Sequence, residues 1–278
     1  MLKFLKNWTL PLAMFAGAIG YFLLANVTIL EPAKPFVNWL IAVLTPFLIF
    51  AQLLLTFCKI EPKELLPKAW HVWLLSIQAV SSGIIALLLI FCPMEEAYRD
   101  IFEGAMVCLI CPTATAAAVI TGKLGGSAST LTTYTLLSNV LAAIAVPLVF
   151  PLVEPHADIT FVVAFLKILS KVFPLLLAPF FIALLFRYYI PSVHRLLSKY
   201  HGVAFYLWAV ALTIVTGQTV RSLVTAAADV SIEIMIALAG LATCCLQFYF
   251  GKRIGSAYHD RISAGQALGQ KNTVLAIW

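Results

Sequence analysis

The chain has 278 residues, of which 62% are hydrophobic and 11% are charged, and its formal net charge is +6. Soluble domains contain roughly 25% charged residues, so this composition excludes a soluble protein and predicts that the bilayer is the solvent. The basic excess does not indicate a nucleic-acid partner, because the lysines and arginines are spread over short loops. The sequence therefore predicts a multi-pass membrane protein surrounded by lipid.

Apolar runs of about 20 residues predict nine membrane spans, because a helix of that length crosses the hydrocarbon layer. The N-terminal run is too long for the apolar part of a signal peptide and is interpreted as a retained first helix. Nine spans are uneven for a carrier built of two equal halves, so we expect that a tenth helix is missing after Trp278. In chain order the spans cover residues 8–30, 35–58, 69–92, 101–121, 128–152, 161–187, 202–221, 228–250 and 262–278.

The loops between these spans alternate in charge. Basic residues concentrate in every second loop, and the remaining loops, such as "LEPAKP" and "CPMEEAYRD", are poorer in lysine and arginine and often acidic. The positive-inside rule then predicts a cytoplasmic N-terminus and a plasma-membrane location, the inner membrane if the source is bacterial. The basic residues on the predicted cytoplasmic side are Lys3, Lys6, Lys59, Lys63, Lys68, Lys123, Arg187, Arg195, Lys199, Lys252, Arg253 and Arg261.

Two spans carry interruptions at corresponding positions, the fourth of the first five and the fourth of the next five. "CLICPTATAAAV" in the fourth span contains Pro112, which removes a backbone donor and predicts a break. "GQALGQKNTV" in the ninth span combines Gly269 with amide residues, which favours an unwound segment. Paired broken helices in matching places indicate a transport site at the interface of an inverted repeat.

At these two stretches the sequence resembles the bile acid:sodium symporter family, within the wider group of bile, arsenite and auxin-type carriers. The resemblance rests on "CPTATAAAV" in the fourth span, "ALGQKNT" in the ninth and the glutamine-bearing third span at Gln78. It implies a fold of five plus five helices with a core, a panel and crossed fourth and ninth helices, in one membrane domain over residues 1–278. The panel would comprise residues 8–58 and 161–221, and the core residues 69–152 and 228–278.

The resemblance also implies where this chain departs from sodium-coupled members of the family. Positions that supply sodium ligands there are occupied here by Ala117, Ala118 and Ala267, which have no side-chain oxygen. A glutamine of the second sodium site matches Lys271. Sodium prefers hard oxygen ligands, and an ammonium group repels a cation. No metal site is therefore expected, and the sodium sites are interpreted as degenerate.

Lys271 has two interpretations. A lysine near a helix end can extend its ammonium group to the membrane surface. Alternatively, its ammonium group occupies the volume of the lost sodium, either as a fixed charge or as a group that couples transport to protons. The predicted substrate- and ion-binding residues follow from the two breaks, the polar fifth span and Gln78; they are Gln78, Thr113, Thr115, Thr135, Asn139, Gln266, Gln270, Lys271 and Asn272.

Together these features predict a secondary transporter of a small organic anion that works by alternating access and needs no cofactor; both a monomer and a homo-oligomer are compatible with the sequence. Three alternatives stay open: a sodium-coupled anion symporter, a metalloid or cation efflux carrier that would use Cys108 and Cys111, and a membrane sensor that transports nothing. An enzyme is not expected, because no nucleotide, nucleophile-elbow or zinc-helix motif occurs.

Overall fold

A computed structural model describes residues 8–59, 61–155, 159–200, 203–225 and 230–277. Within these ranges the chain is helical without strands, and seven helices are long and apolar enough to cross a membrane. The prediction of an all-α polytopic membrane protein is confirmed. Lys3 and Lys6, which contribute to the predicted orientation, lie outside the described residues.

The first half of the chain forms six helices of unequal length. The fourth predicted span is divided between two of them, α4 and α5, and the short segment that joins them contains Pro112. Two short 3₁₀ helices, Thr28–Ala33 and Pro62–Glu64, precede and follow α2. The helices are α1 (Thr9–Asn26), α2 (Lys34–Lys59), α3 (Ala69–Phe91), α4 (Glu96–Ile110), α5 (Ala117–Lys123) and α6 (Ala128–Val153).

The second half also forms six helices, and its last predicted span is likewise divided in two. One of these helices, α8, lies in a segment that the sequence pattern indicates as a loop. It begins at Pro191, whose fixed φ suits a first helical position, and it ends at Lys199. The helices are α7 (Phe161–Tyr189), α8 (Pro191–Lys199), α9 (Val203–Thr225), α10 (Val230–Ala257), α11 (Arg261–Gly269) and α12 (Thr273–Ile277).

The packing joins α1, α2, α7 and α9 into one group of helices. In the other group, α10 packs on α4 and α11, α3 packs on α4 and α6, and α5 packs on α6. The two groups meet where α6 packs on α7 and where α12 contacts α2 and α9. The division into a panel and a core, and the relative movement of the two, stay predictions.

Small residues allow α10 and α11 to pack closely. A Cβ atom built on Gly251 would lie 2.6 Å from the carbonyl oxygen of Ala264, and one on Gly255 would lie 2.6 Å from the Ala264 Cβ. Glycines four residues apart on one helix face are a frequent means of close helix contact in membranes. This contact holds α11 and therefore the second break against α10.

Ion pairs and hydrogen bonds join loops that the charge alternation assigns to the same side of the membrane. Lys68 pairs with Asp260 at 3.0 Å, which links the loop before α3 to the turn before α11. On the opposite side, Arg99 pairs with Glu103 at 2.8 Å and lies 3.8 Å from Glu154 at the end of α6. These contacts fit the predicted alternation of the loops.

Candidate functional site

The two divided helix pairs meet at their breaks. Residues 111–116 join α4 to α5, residues 270–272 join α11 to α12, and we call the place where these segments meet the crossing. Thr113 and Lys271 form an antiparallel bridge there. The Ala114 N–H donates to the Gln270 carbonyl at 2.9 Å, and the Asn272 N–H donates to the Pro112 carbonyl at 2.9 Å. Each break therefore satisfies backbone groups that the other leaves without a helical partner.

Pro112 frees the first of the carbonyl groups at the C-terminal end of α4. A residue at this position would normally donate its N–H to the carbonyl of Cys108, but proline has no N–H. The side chain of Gln247 on α10 instead donates its Nε2 to the Cys108 oxygen at 3.3 Å. A glutamine 139 residues away in the sequence thus replaces one missing backbone hydrogen bond.

Side chains from α3 and from the second break satisfy the next three carbonyl groups. Lys271 donates its Nζ to the Leu109 oxygen at 3.1 Å. Gln78 donates its Nε2 to the Ile110 oxygen at 2.9 Å and to the Cys111 oxygen at 3.1 Å. Because the last carbonyls of any α-helix lack internal partners, these donors together cap the C-terminus of α4.

This position is electrostatically favourable for a cation. The C-terminus of a helix carries a partial negative charge, equivalent to about half an electron. Lys271 is partly buried and forms no ion pair with a carboxylate in the part of the chain that the structure describes. The carbonyl end of α4 is therefore the source of negative potential that the structure provides for the ammonium group.

The three alanines that the sequence predicts at sodium-ligand positions lie in an apolar environment. Ala117 and Ala267 are fully buried and Ala118 nearly so, and all three belong to one cluster of hydrophobic side chains. Hard cations require several oxygen ligands, which alanine side chains do not supply. Within the described ranges, no group of three or more His, Cys, Asp or Glu side chains is placed to hold a metal ion. The cluster also contains Trp70, Leu74, Leu131, Tyr134, Ala264 and Leu268.

The structure assigns distinct contacts to the candidate hydroxyl groups. Thr113 donates its hydroxyl to the Ala267 carbonyl at 2.7 Å, and Thr115 donates to Gln52 Oε1 at 2.7 Å. Thr135 instead donates to the Leu131 carbonyl of its own helix at 3.0 Å, an arrangement common for hydroxyls in helices. Thr113 and Thr115 thus connect the crossing to other elements, whereas the hydroxyl of Thr135 bonds within α6.

The candidate amides also divide into two kinds. Asn272 accepts the Leu275 N–H at 3.2 Å and so caps the start of α12, as asparagine commonly does. Asn139 is 1% exposed, and neither atom of its amide has a hydrogen-bond partner among the described residues. Gln266 likewise has a buried Oε1 without a partner in these ranges, and Gln270 contributes its backbone carbonyl to the crossing. Asn139 and Gln266 therefore retain hydrogen-bonding capacity.

Two residues at the site escape the sequence prediction. Gln247 and Gln52 lie inside long apolar helices, and a single glutamine within an apolar span is the signal available for each. Ser138, one of the hydroxyl residues of the fifth span that the sequence suggests could face the crossing, accepts the Thr113 N–H at 3.2 Å.

A cavity lies apart from the crossing, between α6 and α7. It has a volume of about 460 Å³ and a lining that is almost entirely apolar. The residues that line it are Ile144, Phe165, Leu166, Leu169, Ser170, Phe173 and Pro174.

Long apolar helices combined with two hydrogen-bonded helix breaks define a polytopic membrane protein of the transporter class. Comparison with protein families agrees: the model of the sodium bile acid symporter family matches residues 3–226, and the chain belongs to that family. The match covers the first break and ends before α10 and the second break. No curated protein sequence matches the chain significantly.

Proposed function

We propose that this family member is a secondary transporter of a small organic anion that works by alternating access without sodium, and that the Lys271 ammonium group occupies the position of the sodium ion. The observation that carries the proposal is the contact of Lys271 Nζ with the Leu109 carbonyl at 3.1 Å, at the negative end of α4. A cation held permanently at this place removes the need to bind one from solution.

Two further features support the loss of sodium coupling. The positions of the family's sodium ligands, Ala117, Ala118 and Ala267, are packed among hydrophobic side chains. A sodium ion close to Lys271 would also be repelled by the ammonium group, since two like charges at 4 Å oppose each other by about 4 kcal/mol at an intermediate dielectric constant. The proposed binding set remains Gln78, Thr113, Thr115, Thr135, Asn139, Gln266, Gln270, Lys271 and Asn272.

The preference for an anion rests on the charge of Lys271 and on the family. The helices that follow the two breaks, Ala117–Lys123 and Thr273–Ile277, are short, so the lysine is the main source of positive potential at the crossing. An anionic group of the substrate beside Lys271 would form an ion pair with the ammonium group. Both a fixed charge and a charge that changes with protonation fit this arrangement, and they differ in the expected pH dependence.

Transport in proteoliposomes tests the proposal. Purified protein is reconstituted, and uptake of labelled cholate and of small hydroxycarboxylates is measured with sodium, potassium or choline as the external cation. We expect equal uptake in the three salts. A steep sodium requirement would contradict the proposal, and absence of uptake of every probe would favour the sensor alternative.

Two lysine variants show whether Lys271 carries the effect. Lys271→Gln should reduce uptake at least tenfold, whereas Lys167→Gln, an exposed lysine on α7, should leave uptake unchanged. If protons are coupled, uptake by the natural protein follows the imposed pH gradient and Lys271→Gln removes this dependence. A pH profile that is the same in both proteins excludes proton coupling through Lys271.

A further inference from the structure

Gln52 is a polar side chain buried in an apolar part of α2. It is 3% exposed, and its neighbours along the helix face, Leu48, Ile49 and Leu53, belong to the largest hydrophobic cluster of the structure. An amide buried without hydrogen bonds costs on the order of 1–3 kcal/mol. A glutamine at this position therefore requires a physical reason beyond packing.

One end of the Gln52 amide contacts the crossing. Its Oε1 accepts the hydroxyl of Thr115 at 2.7 Å, and its Nε2 has no partner among the described residues. Turning the amide by half a rotation would exchange the two atoms, but a hydroxyl can donate or accept, so Thr115 satisfies one end in either case. The other end of the amide remains available to a ligand.

We propose that Gln52 forms a subsite that binds a hydroxyl group of the transported anion. Gln52 already binds a hydroxyl group, that of Thr115, and a substrate hydroxyl can replace it with the same donor and acceptor capacity. A carboxylate fits less well, because a neutral amide among aliphatic side chains does not compensate a buried charge. The anionic end of the substrate therefore remains at Lys271.

The subsite deepens the proposed transport function and rests on it. When a substrate hydroxyl takes the place of Thr115, the hydrogen bond between α2 and the break after α4 is released. Binding of a hydroxylated anion would then loosen one contact between the two groups of helices. An anion of the same shape without the hydroxyl cannot make this exchange, so Gln52 determines specificity.

Binding of matched probes to the purified protein in detergent tests the subsite. The probes are labelled cholate and 5β-cholanate, which lacks the hydroxyl groups, together with lactate and propionate as a smaller pair. We expect at least one hydroxylated member to bind roughly tenfold more tightly than its partner, the size of one hydrogen bond to a buried group. Equal affinities within both pairs, or no binding of either hydroxylated member, would overturn the subsite.

Variants connect this discrimination to Gln52. Gln52→Met keeps the length of the side chain and should remove the discrimination, with little effect on the member without the hydroxyl. Thr45→Val is the control on the same helix, because the Thr45 hydroxyl donates to the Ile41 carbonyl at 2.8 Å within α2. Discrimination that persists in Gln52→Met overturns the proposal.

A third variant covers the case in which Gln52→Met fails to fold. Thr115→Val removes the hydroxyl that competes for Gln52, so the hydroxylated probe should bind more tightly, whereas weaker or unchanged binding would count against the subsite. Uptake measured on the same preparations separates the two proposals. Discrimination in binding without uptake would overturn transport alone, and sodium-independent uptake without discrimination would overturn the subsite alone.

Discussion

The two helix breaks at the crossing are formed by different physical means. In the first, Pro112 lacks a backbone N–H, and the carbonyl of Cys108 takes a side-chain donor from α10 instead. The second contains no proline, and its position depends on close packing: a Cβ atom on Gly269 would lie 2.4 Å from the ring of Phe248. The first break is therefore specified locally, and the second by the neighbouring helix.

The two breaks also differ in their relation to the family. The family match includes the first break and ends at residue 226, well before the second. The first break contains the Cys-Pro pattern and is followed by Ala117 and Ala118, which we predict to occupy sodium-ligand positions of the family, and the second break contains Lys271. When a site is divided between two segments, substitutions in both can replace a bound sodium ion by the charge of a lysine side chain. The replacement requires that the carbonyl groups at the end of α4 still have a hydrogen-bond donor.

The largest effect is expected when the charge at the second break is removed. Lys271→Ala leaves the Leu109 carbonyl without its donor, which should lower the free energy of unfolding by about 1–3 kcal/mol and reduce transport more than tenfold. Lys271→Gln keeps a donor and should recover part of the stability but not the transport. Thermal unfolding in detergent and uptake measure the two effects, and full transport in either variant would contradict the role of the charge.

Packing at the second break should come next in magnitude. Gly269→Ala places a methyl group against the Phe248 ring, and overpacking of this kind costs about 1–3 kcal/mol. Gly83→Ala on α3 is the matched control, since no atom lies within 4 Å of the added Cβ. The double change Gly269→Ala with Phe248→Leu should recover stability in thermal unfolding. Equal effects of the two alanine substitutions would show that α10 does not shape this break.

At the first break we expect a smaller and non-additive effect. Gln247→Met should cost about 1 kcal/mol, because the Cys108 carbonyl loses its donor. In the Pro112→Ala background the new N–H can donate to that carbonyl, so the same glutamine substitution should cost less. A double-mutant cycle measured by thermal unfolding gives the difference, and strict additivity would mean that proline does not free this carbonyl.

The smallest effect concerns the cap of α12. Asn272→Ala removes the acceptor for the Leu275 N–H and should cost about 0.5 kcal/mol, the low end for caps, because α12 has five residues. Asn272→Asp retains an acceptor and should preserve stability. A much larger loss of transport than of stability in Asn272→Ala would instead indicate that the amide contacts the substrate.

Much of the fold could be predicted from the sequence, because a lipid environment restricts membrane-spanning segments to apolar helices. Apolar runs of sufficient length become helices in a bilayer, where every backbone polar group needs an internal partner, and their order follows directly. Their number does not, because nine spans are predicted, whereas seven of the described helices are long enough to cross and the fourth and ninth predicted spans are each divided in two. The amphipathic helix Pro191–Lys199 was not predicted, because nine residues with His194, Arg195 and Lys199 resemble a basic loop. In the structure this helix packs on α2 and α7, and such contacts between distant segments cannot be read from the sequence.

The candidate site could be predicted less completely. Pro112, Gly269 and Lys271 are unusual residues for membrane spans, so each draws attention in a single sequence. Gln247 and Gln52 also form hydrogen bonds at the crossing. The sequence of an apolar helix that contains one glutamine shows neither which way the side chain points nor which group it binds. Thr135 shows the reverse case: the sequence predicts it at the site, but its hydroxyl donates to a carbonyl of its own helix.

The sequence by itself determines the solvent, the class of fold and the order of the spans, and it places a lysine in the last of them, because these features depend on composition and local chemistry. The tertiary structure alone decides which side chain satisfies each freed carbonyl of α4 and which amides remain available. Gln247 and Lys271 lie 139 and 162 residues from the carbonyls that they bind. Hydrogen bonds over such separations depend on how the helices pack, and packing brings distant segments into contact in ways that a local pattern does not record.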